Sequence, residues 1–285
     1  MRGSVRFSAC SCAFGTMLLF AACGEPFVPA DCFTVAETAA IPRSSGWANW
    51  EDATVVAHRG LACCHPENTL EAIEGSLAGG IRAIELDVRT TRDGVPVLMH
   101  DETVDRTTDL AGAVEALTFE EIRAADACPL LDRVCVVPTV AEALAQVDGR
   151  ALVLLDLKDT GNCPRFRAVV SAIDGAGAWQ NVALISSVVE TLGMARRLSP
   201  DIPLAYYWVG RPMGVADPVD YVAVLGFAEL MVQAETVMAG SEYFTRASGM
   251  GLPVIIWTAR NRLRLNELRS IYGVKRVLSD VGPEG

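Results

Sequence analysis

The feature that most constrains this 285-residue chain is a repeat of short apolar strands and amphipathic helices that begins at residue 54. Strands are expected over 54–58, 82–88, 151–158, 182–187, 203–209, 229–234, 253–258 and 275–279, eight in all. Near-continuous apolar runs such as 151–158 (ALVLLDLK) are what a parallel strand buried on both faces requires. Helix signals fall between them. Asn68 can cap a helix with Glu71 at its third position, and Leu70, Ile73 and Leu77 form the buried stripe. Thr139 with Glu142 repeats the capping box ahead of Leu144 and Val147. Eight strand–helix units in about 230 residues predict an α/β fold, a (β/α)8 TIM barrel. An open doubly wound sheet also alternates strands and helices, but no glycine-rich dinucleotide loop supports it.

One run breaks the count. Residues 95–100 (VPVLMH) follow a turn at Arg92-Asp93-Gly94, and Asp-Gly favours a hairpin. The second strand is therefore expected to rise above the barrel rim and fold back, bringing His100 beside Asp87. Residues 101–138 then form a small insertion, holding Cys128 and Cys135, before the barrel resumes.

The segment ahead of the barrel has a different character. Arg2 and Arg6 precede a mostly apolar stretch from Ala9 to Ala22, the layout of an export signal over residues 1–22. Its end resembles a bacterial lipobox, with Ala21 and Ala22 before Cys23 as the lipidated residue and Phe20 as the departure from the usual Leu. Residues 23–53, with Pro26, Pro29, Pro42 and Ser44-Ser45-Gly46, are expected to be a tether, its end docked by Trp47 and Trp50. Removing Arg2 and Arg6 with the signal changes the balance of 24 basic and 35 acidic residues to 22 against 35, or −13. An acidic chain without clustered Lys and Arg excludes a nucleic-acid partner. Six cysteines remain beyond Cys23: Cys32, Cys63, Cys64, Cys128, Cys135 and Cys163. An even count in an exported chain predicts three disulfides, with the adjacent Cys63 and Cys64 each bonded elsewhere.

In a barrel of this kind, chemistry sits at the C-terminal ends of the strands. Ile84, Leu86 and Val88 share one face of the second strand and must pack on the helices, which turns Glu85 and Asp87 inward. By the same parity, Val153, Leu155 and Leu157 face outward, while Asp156 and Lys158 face the mouth. Three converging carboxylates repel one another unless a cation joins them, and hard oxygen ligands suit Ca2+ or Mg2+. The alternative is a salt-bridge network with Arg59 and Lys158. His58 ends the first strand and His100 ends the hairpin, so two of only three histidines aim at this acidic rim. Paired histidines beside a divalent ion suit phosphoester chemistry, one removing a proton and the other protonating the leaving alkoxide.

His58-Arg59-Gly60, Pro66-Glu67-Asn68-Thr69, Glu85-Leu86-Asp87-Val88, His100-Asp101, Asp156-Leu157-Lys158 and Trp257-Thr258 occur in an order and spacing that resembles the glycerophosphodiester phosphodiesterase family. The likeness runs over roughly residues 54–283 and includes Leu278-Ser279-Asp280. It implies a (β/α)8 barrel with a small insertion, hydrolysing glycerophosphodiesters to an alcohol and sn-glycerol 3-phosphate. It further implies His58 as proton acceptor, His100 as donor, and Glu85, Asp87 and Asp156 as ligands of one divalent cation. Arg59 and Lys158 would hold phosphate, and Trp257 would wall the substrate pocket. Asp156 departs from the family's usual Glu, and Leu61-Ala62-Cys63-Cys64-His65 departs in the first loop. His65 is expected to be a loop residue, and Arg260, Arg262 and Arg264 a solvated helix start.

The expectation is therefore an exported enzyme of the periplasm or cell envelope, anchored to membrane through Cys23 and acting on small glycerophosphodiesters. Two rivals stand beside it. One is a phospholipase D-like relative that acts on intact lipids and forms a cyclic phosphate. The other is a binding lipoprotein that kept the barrel and lost turnover.

Overall fold

The computed structural model describes residues 32, 50–159, 162–208, 219, 222, 229–235, 242–271 and 273–282. The expected signal at 1–22, lipidation at Cys23 and nearly all of the tether, Trp47 included, lie outside the described residues.

Strand β1 (Val55–Ala57) leads through a long turn to α1 (Leu70–Ala78) and then β2 (Ala83–Thr90). The hairpin strand β3 (Pro96–Leu98) and the short helix α2 (Phe119–Arg123) precede α3 (Val140–Val147). Then follow β4 (Leu152–Leu157), α4 (Cys163–Gly175), β5 (Val182–Ser186), α5 (Val189–Leu198) and β6 (Leu204–Tyr207). The remaining elements are β7 (Glu229–Gln233), α6 (Glu242–Gly249), β8 (Val254–Ala259), α7 (Arg262–Arg269) and β9 (Val274–Ser279). Eight parallel strands close into a barrel because β1 pairs with both β2 and β9. β3 stands apart, antiparallel to the end of β2 with Val88 opposite Leu98.

Alternation along each strand divides the apolar residues between two cores. Val56, Leu152, Leu154, Ile185, Met231 and Leu278 fill the barrel, whereas Ile84, Leu86, Val153 and Leu155 pack outward on the helices. A buried aliphatic side chain contributes roughly 1.5–3 kcal/mol, so a one-residue slip of β2 would forfeit several such terms and bury Ile84 and Leu86 against carboxylates. The insertion has its own small core of Val97, Val104, Val114, Ile122 and Val137, which holds it on the rim beside β3.

Two details differ from the sequence reading. The cap of α1 is Thr69, whose side chain accepts from the Ala72 amide, and the expected cap Asn68 is instead buried with φ +58°. Cysteine pairing differs as well. Cys32–Cys163 and Cys128–Cys135 are disulfides, but Cys63 and Cys64 are free and exposed rather than bonded elsewhere. They lie next to each other at the outside of the first barrel loop, with no other free cysteine among the described residues within reach of a bond.

Candidate active site

The first loop turns sharply as β1 ends. Arg59, Gly60 and Leu61 have φ of +51°, +78° and +62°, a run of left-handed residues that reverses the chain within one turn. Gly60 permits this because a Cβ there would stand 2.7 Å from the Ala72 Cβ on α1. The turn keeps His58 on the barrel, its amide donating to the Ser279 carbonyl at 2.9 Å. His58 Nδ1 also meets Asp280 Oδ1 at 2.6 Å, just past the end of β9. A carboxylate on Nδ1 fixes the proton there and leaves Nε2 as the acceptor.

Strands β2 and β4 supply the acidic cluster. Asp87 and Asp156 are register partners, and Glu85 lies two residues below Asp87 on the same face. One carboxylate oxygen from each of the three falls within 4.8 Å of the others, and all three residues are buried. The shorter Asp156 therefore still reaches the cluster. Lys158 Nζ sits 2.5 Å from Asp156 and 3.0 Å from Asp87. Arg59 places Nε 3.3 Å from Asp87 and donates its backbone amide to Glu85 at 3.0 Å. Asn68 holds Asp87 from both sides, donating Nδ2–H to Oδ2 at 2.8 Å and accepting the Asp87 amide at 3.1 Å.

These neighbours divide the carboxylates. Burial, reinforced by Asp87 and Asp156, pushes the Glu85 carboxyl well above its usual range. Burial also acts to raise Asp87, but Lys158 and Arg59 outweigh it and hold that carboxylate low. Asp156 is raised by burial, only partly offset by Lys158. Lys158, despite its own burial, is held protonated by Asp156 and Asp87.

His100 faces the cluster from the hairpin. Its Nδ1 meets Asp101 Oδ1 at 2.7 Å, and Arg106 donates to Asp101 Oδ2 at 2.5 Å. Arg106 continues to both oxygens of Glu67 at 2.8 and 2.7 Å, and Glu67 accepts from Arg59 at 2.9 Å. This chain of ion pairs ties the insertion to the first loop. The hydrogen bond from Arg106 is the main reason the Asp101 carboxyl lies at about 2.

His58, Arg59, Glu67, Glu85, Asp87, His100, Asp156, Lys158 and Asp280 open on one cavity of about 400 Å3, which Tyr207, Trp257 and Arg260 also line. The Tyr207 and Trp257 rings lie 4.9 Å apart, and Lys158 sits 5.5 Å above the Tyr207 ring. Trp257 Nε1 is buried without a hydrogen-bond partner among the described residues. The structure thus brings His58, Arg59, Glu85, Asp87, His100, Asp156, Lys158 and Trp257 to one place. His65 lies elsewhere, its ring filling the space over Gly75 of α1. Arg262 and Arg264 begin α7, where Arg264 pairs with Glu267 at 2.8 Å.

Asp280, Asn68, Glu67 and Arg106 complete the site from positions off the strands, where parity does not find them, and Tyr207 joins them from the inward face of β6 beside Ala205. Asp101 follows His100 directly and was visible only as part of a motif. Asp280 stands 222 positions from His58, and Arg106 stands 39 from Glu67. Asn68 and Glu67 have a sequence signal only in Pro66-Glu67-Asn68-Thr69 and Asp280 only after Leu278-Ser279, and Arg106 has none.

Residues 58–281 match the model of the glycerophosphoryl diester phosphodiesterase family. Glycerophosphodiester phosphodiesterase 1 of Rattus norvegicus is 54% identical over 70 residues, 25% of this chain and 21% of that protein. Glycerophosphodiester phosphodiesterase of Bacillus altitudinis is 31% identical over 158 residues, 53% of this chain and 64% of its own length. The chain therefore spans about a fifth of the rat relative and somewhat under two thirds of the bacterial one. A phosphodiesterase of Oleispira antarctica, solved in complex with the product sn-glycerol-3-phosphate, shares the fold with a TM-score of 0.72. It is 24% identical, and the superposition covers 81% of this chain and 94% of that one. With the family model matching residues 58–281, well over half of the chain, the chain belongs to the glycerophosphoryl diester phosphodiesterase family.

Proposed function

We propose that the barrel mouth hydrolyses glycerophosphodiesters to an alcohol and sn-glycerol 3-phosphate, with His58 and His100 as the acid–base pair. One observation carries the reading: two histidines, each backed by its own carboxylate, share a cavity with three buried carboxylates and two cations. The donor set fits a divalent ion. Among the described residues the three buried carboxylates form ion pairs with two cations, Arg59 and Lys158, and Glu85 accepts one hydrogen bond, from the Arg59 backbone amide. Glu85, Asp87 and Asp156 would hold Ca2+ or Mg2+, which supplies Lewis acidity and offsets charge on the phosphoryl oxygens.

The chain's own groups do the rest. Arg59 and Lys158 draw the phosphodiester to the mouth and stabilise charge as the phosphorus becomes five-coordinate. His58 Nε2 accepts the proton of the attacking oxygen while Asp280 stabilises the imidazolium. His100, its Nδ1 turned to Asp101, donates a proton to the departing alkoxide. One water adds and one P–O bond breaks, leaving the free alcohol and the phosphomonoester. Trp257, tilted at 44° against Tyr207, gives the glycerol moiety an apolar wall.

Export and lipid anchoring at Cys23 form part of the same proposal. Two disulfides within the described residues are in keeping with an oxidising compartment. A second reading, attack on intact lipids by an internal hydroxyl, is favoured by one feature. Leu130 and Val134, 95% and 77% exposed, project from the loop closed by Cys128–Cys135 on the insertion. Phosphorus NMR separates the two. Glycerophosphocholine should yield glycerol 3-phosphate in a chelator-sensitive reaction. A cyclic phosphate from lysophospholipid, with glycerophosphocholine untouched, would overturn the first reading in favour of the second.

A further inference from the structure

The first loop carries a feature that the reaction does not use. Cys63 and Cys64 are exposed, in no disulfide, and their sulfurs lie 2.6 Å apart. A covalent S–S bond measures about 2.05 Å, so ring closure asks for a small approach rather than a refolding of the loop. The other four cysteines among the described residues are already committed, with Cα atoms 5.1 Å apart in Cys32–Cys163 and 5.2 Å in Cys128–Cys135. Those separations lie inside the usual window of roughly 4.4–6.8 Å, whereas adjacent residues place their Cα atoms only about 3.8 Å apart. A bond between neighbours is therefore strained, and a strained, exposed disulfide is the reducible kind.

We propose that Cys63 and Cys64 form a reversible two-thiol modification site, converted to a vicinal disulfide by small-molecule or protein disulfides. In the balanced step, one cysteine sulfur attacks the oxidant's disulfide, forming a mixed disulfide and releasing one thiol. The neighbouring sulfur then attacks the bonded cysteine sulfur and releases the second thiol. Two electrons and the two cysteine protons pass to the oxidant, which leaves as two thiols. Burial and the adjacent Cys64, with a smaller push from Asp280, raise the Cys63 thiol to about 12. Either sulfur can make the first attack, and its neighbour then closes the ring.

The position gives the modification a route to the site. Cys63 donates its amide to the Asp280 carbonyl at 3.3 Å, and the Asp280 carboxylate meets His58 Nδ1 at 2.6 Å. Ala62, one residue earlier, lines the cavity and donates its amide to the His58 carbonyl at 3.2 Å. Closing the ring turns the 63–64 peptide and pulls on both contacts.

The test uses the full chain, mildly reduced and then treated with oxidised glutathione. Peptide mass spectrometry should find the Cys63–Cys64 peptide short of two hydrogens and free of glutathione. Dithiothreitol, at a level that spares Cys32–Cys163 and Cys128–Cys135, should restore it. Cys63→Ser should trap one glutathione on Cys64, because the second attack is lost. Imidazole NMR signals of His58 should move between the two redox forms of the unmutated chain. Glutathione adducts persisting on the unmutated peptide, disulfide-linked chains joined through either cysteine, or an unreactive pair would overturn the modification site. His58 signals that stay in place would overturn its link to the catalytic loop.

Discussion

At the N-terminal end of the barrel, Glu229 of β7 and Arg276 of β9 form a buried ion pair, and Arg276 also donates to the Trp50 carbonyl. At the opposite end, Glu85, Asp87 and Asp156 face Arg59 and Lys158. Both ends bury ionisable groups, so burial alone does not mark function. Among the described residues the lower pair sets one buried acid against one buried base, with the Trp50 carbonyl accepting from Arg276. The upper set is three acids against two bases, and it opens on a 400 Å3 cavity. Unbalanced charge beside open space distinguishes a site built for a ligand from one that fixes strand register.

The comparison breaks most sharply under substitution of Glu85. Because burial and two neighbouring carboxylates disfavour its ionised form, Glu85→Gln should leave the metal-free fold as stable or more so near neutral pH. The same change should lower turnover by about 10²-fold or more and abolish any rise in melting temperature on adding Ca2+ or Mg2+. Thermal melts with and without metal, beside the turnover assay, check both halves.

Substitution at the lower end should do the reverse. Arg276→Met leaves a buried acid without its base and should cost about 3–5 kcal/mol, read by chemical denaturation, with turnover of the folded fraction unchanged. Glu229→Met with Arg276→Met should recover most of that loss, since a buried pair is often replaceable by apolar residues. The lower end also has a pH signature. Burial, only partly offset by Arg276, lifts the Glu229 carboxyl to about 7. The unfolded chain releases that proton near about 4.3. Between these values the folded state holds more protons, so this group's contribution to stability falls as pH rises through the window. Glu229→Gln should flatten that part of the stability profile.

The upper end of this contrast was legible in the sequence, whereas the Glu229–Arg276 pair was not. Period-two alternation on β2 and β4 turned Glu85, Asp87 and Asp156 inward because the opposite faces had to meet helices. The Asp-Gly turn announced the hairpin that brings His100 over the rim. What escaped the reading depends on contacts between distant segments or on backbone dihedrals. Asn68-x-x-Glu71 fits a capping box as well as Thr69 fits a plain cap, and only the φ of +58° at Asn68 turns its amide toward Asp87. Arg106 sits in a turn of the insertion, outside any strand or helix whose period could reveal which face it presents. Adjacent cysteines look unsuited to each other on covalent grounds, and nothing local tells that their sulfurs come together.

Smaller effects sharpen the picture of the first loop. Gly60→Ala places a Cβ 2.7 Å from Ala72 at a φ of +78° and should cost about 1–3 kcal/mol by thermal or chemical unfolding. Arg106→Ala removes one charged partner from Asp101 and from Glu67 at once, and should reduce kcat about tenfold while KM changes little, the scale of one charged hydrogen bond. Arg106→Lys should recover only part, because one ammonium cannot reproduce the forked contact with Glu67.

The most direct measurement compares His58→Ala and His100→Ala on two substrates, glycerophosphocholine and a glycerophosphodiester with a nitrophenol leaving group. Nitrophenol departs without a proton, so it needs no general acid. His100→Ala should lose about 10²–10⁴-fold on glycerophosphocholine but little on the activated ester, while His58→Ala should fail on both. Full activity in either variant on glycerophosphocholine, or a rescue of His58→Ala rather than His100→Ala, would contradict the assignment of base and acid at this barrel mouth.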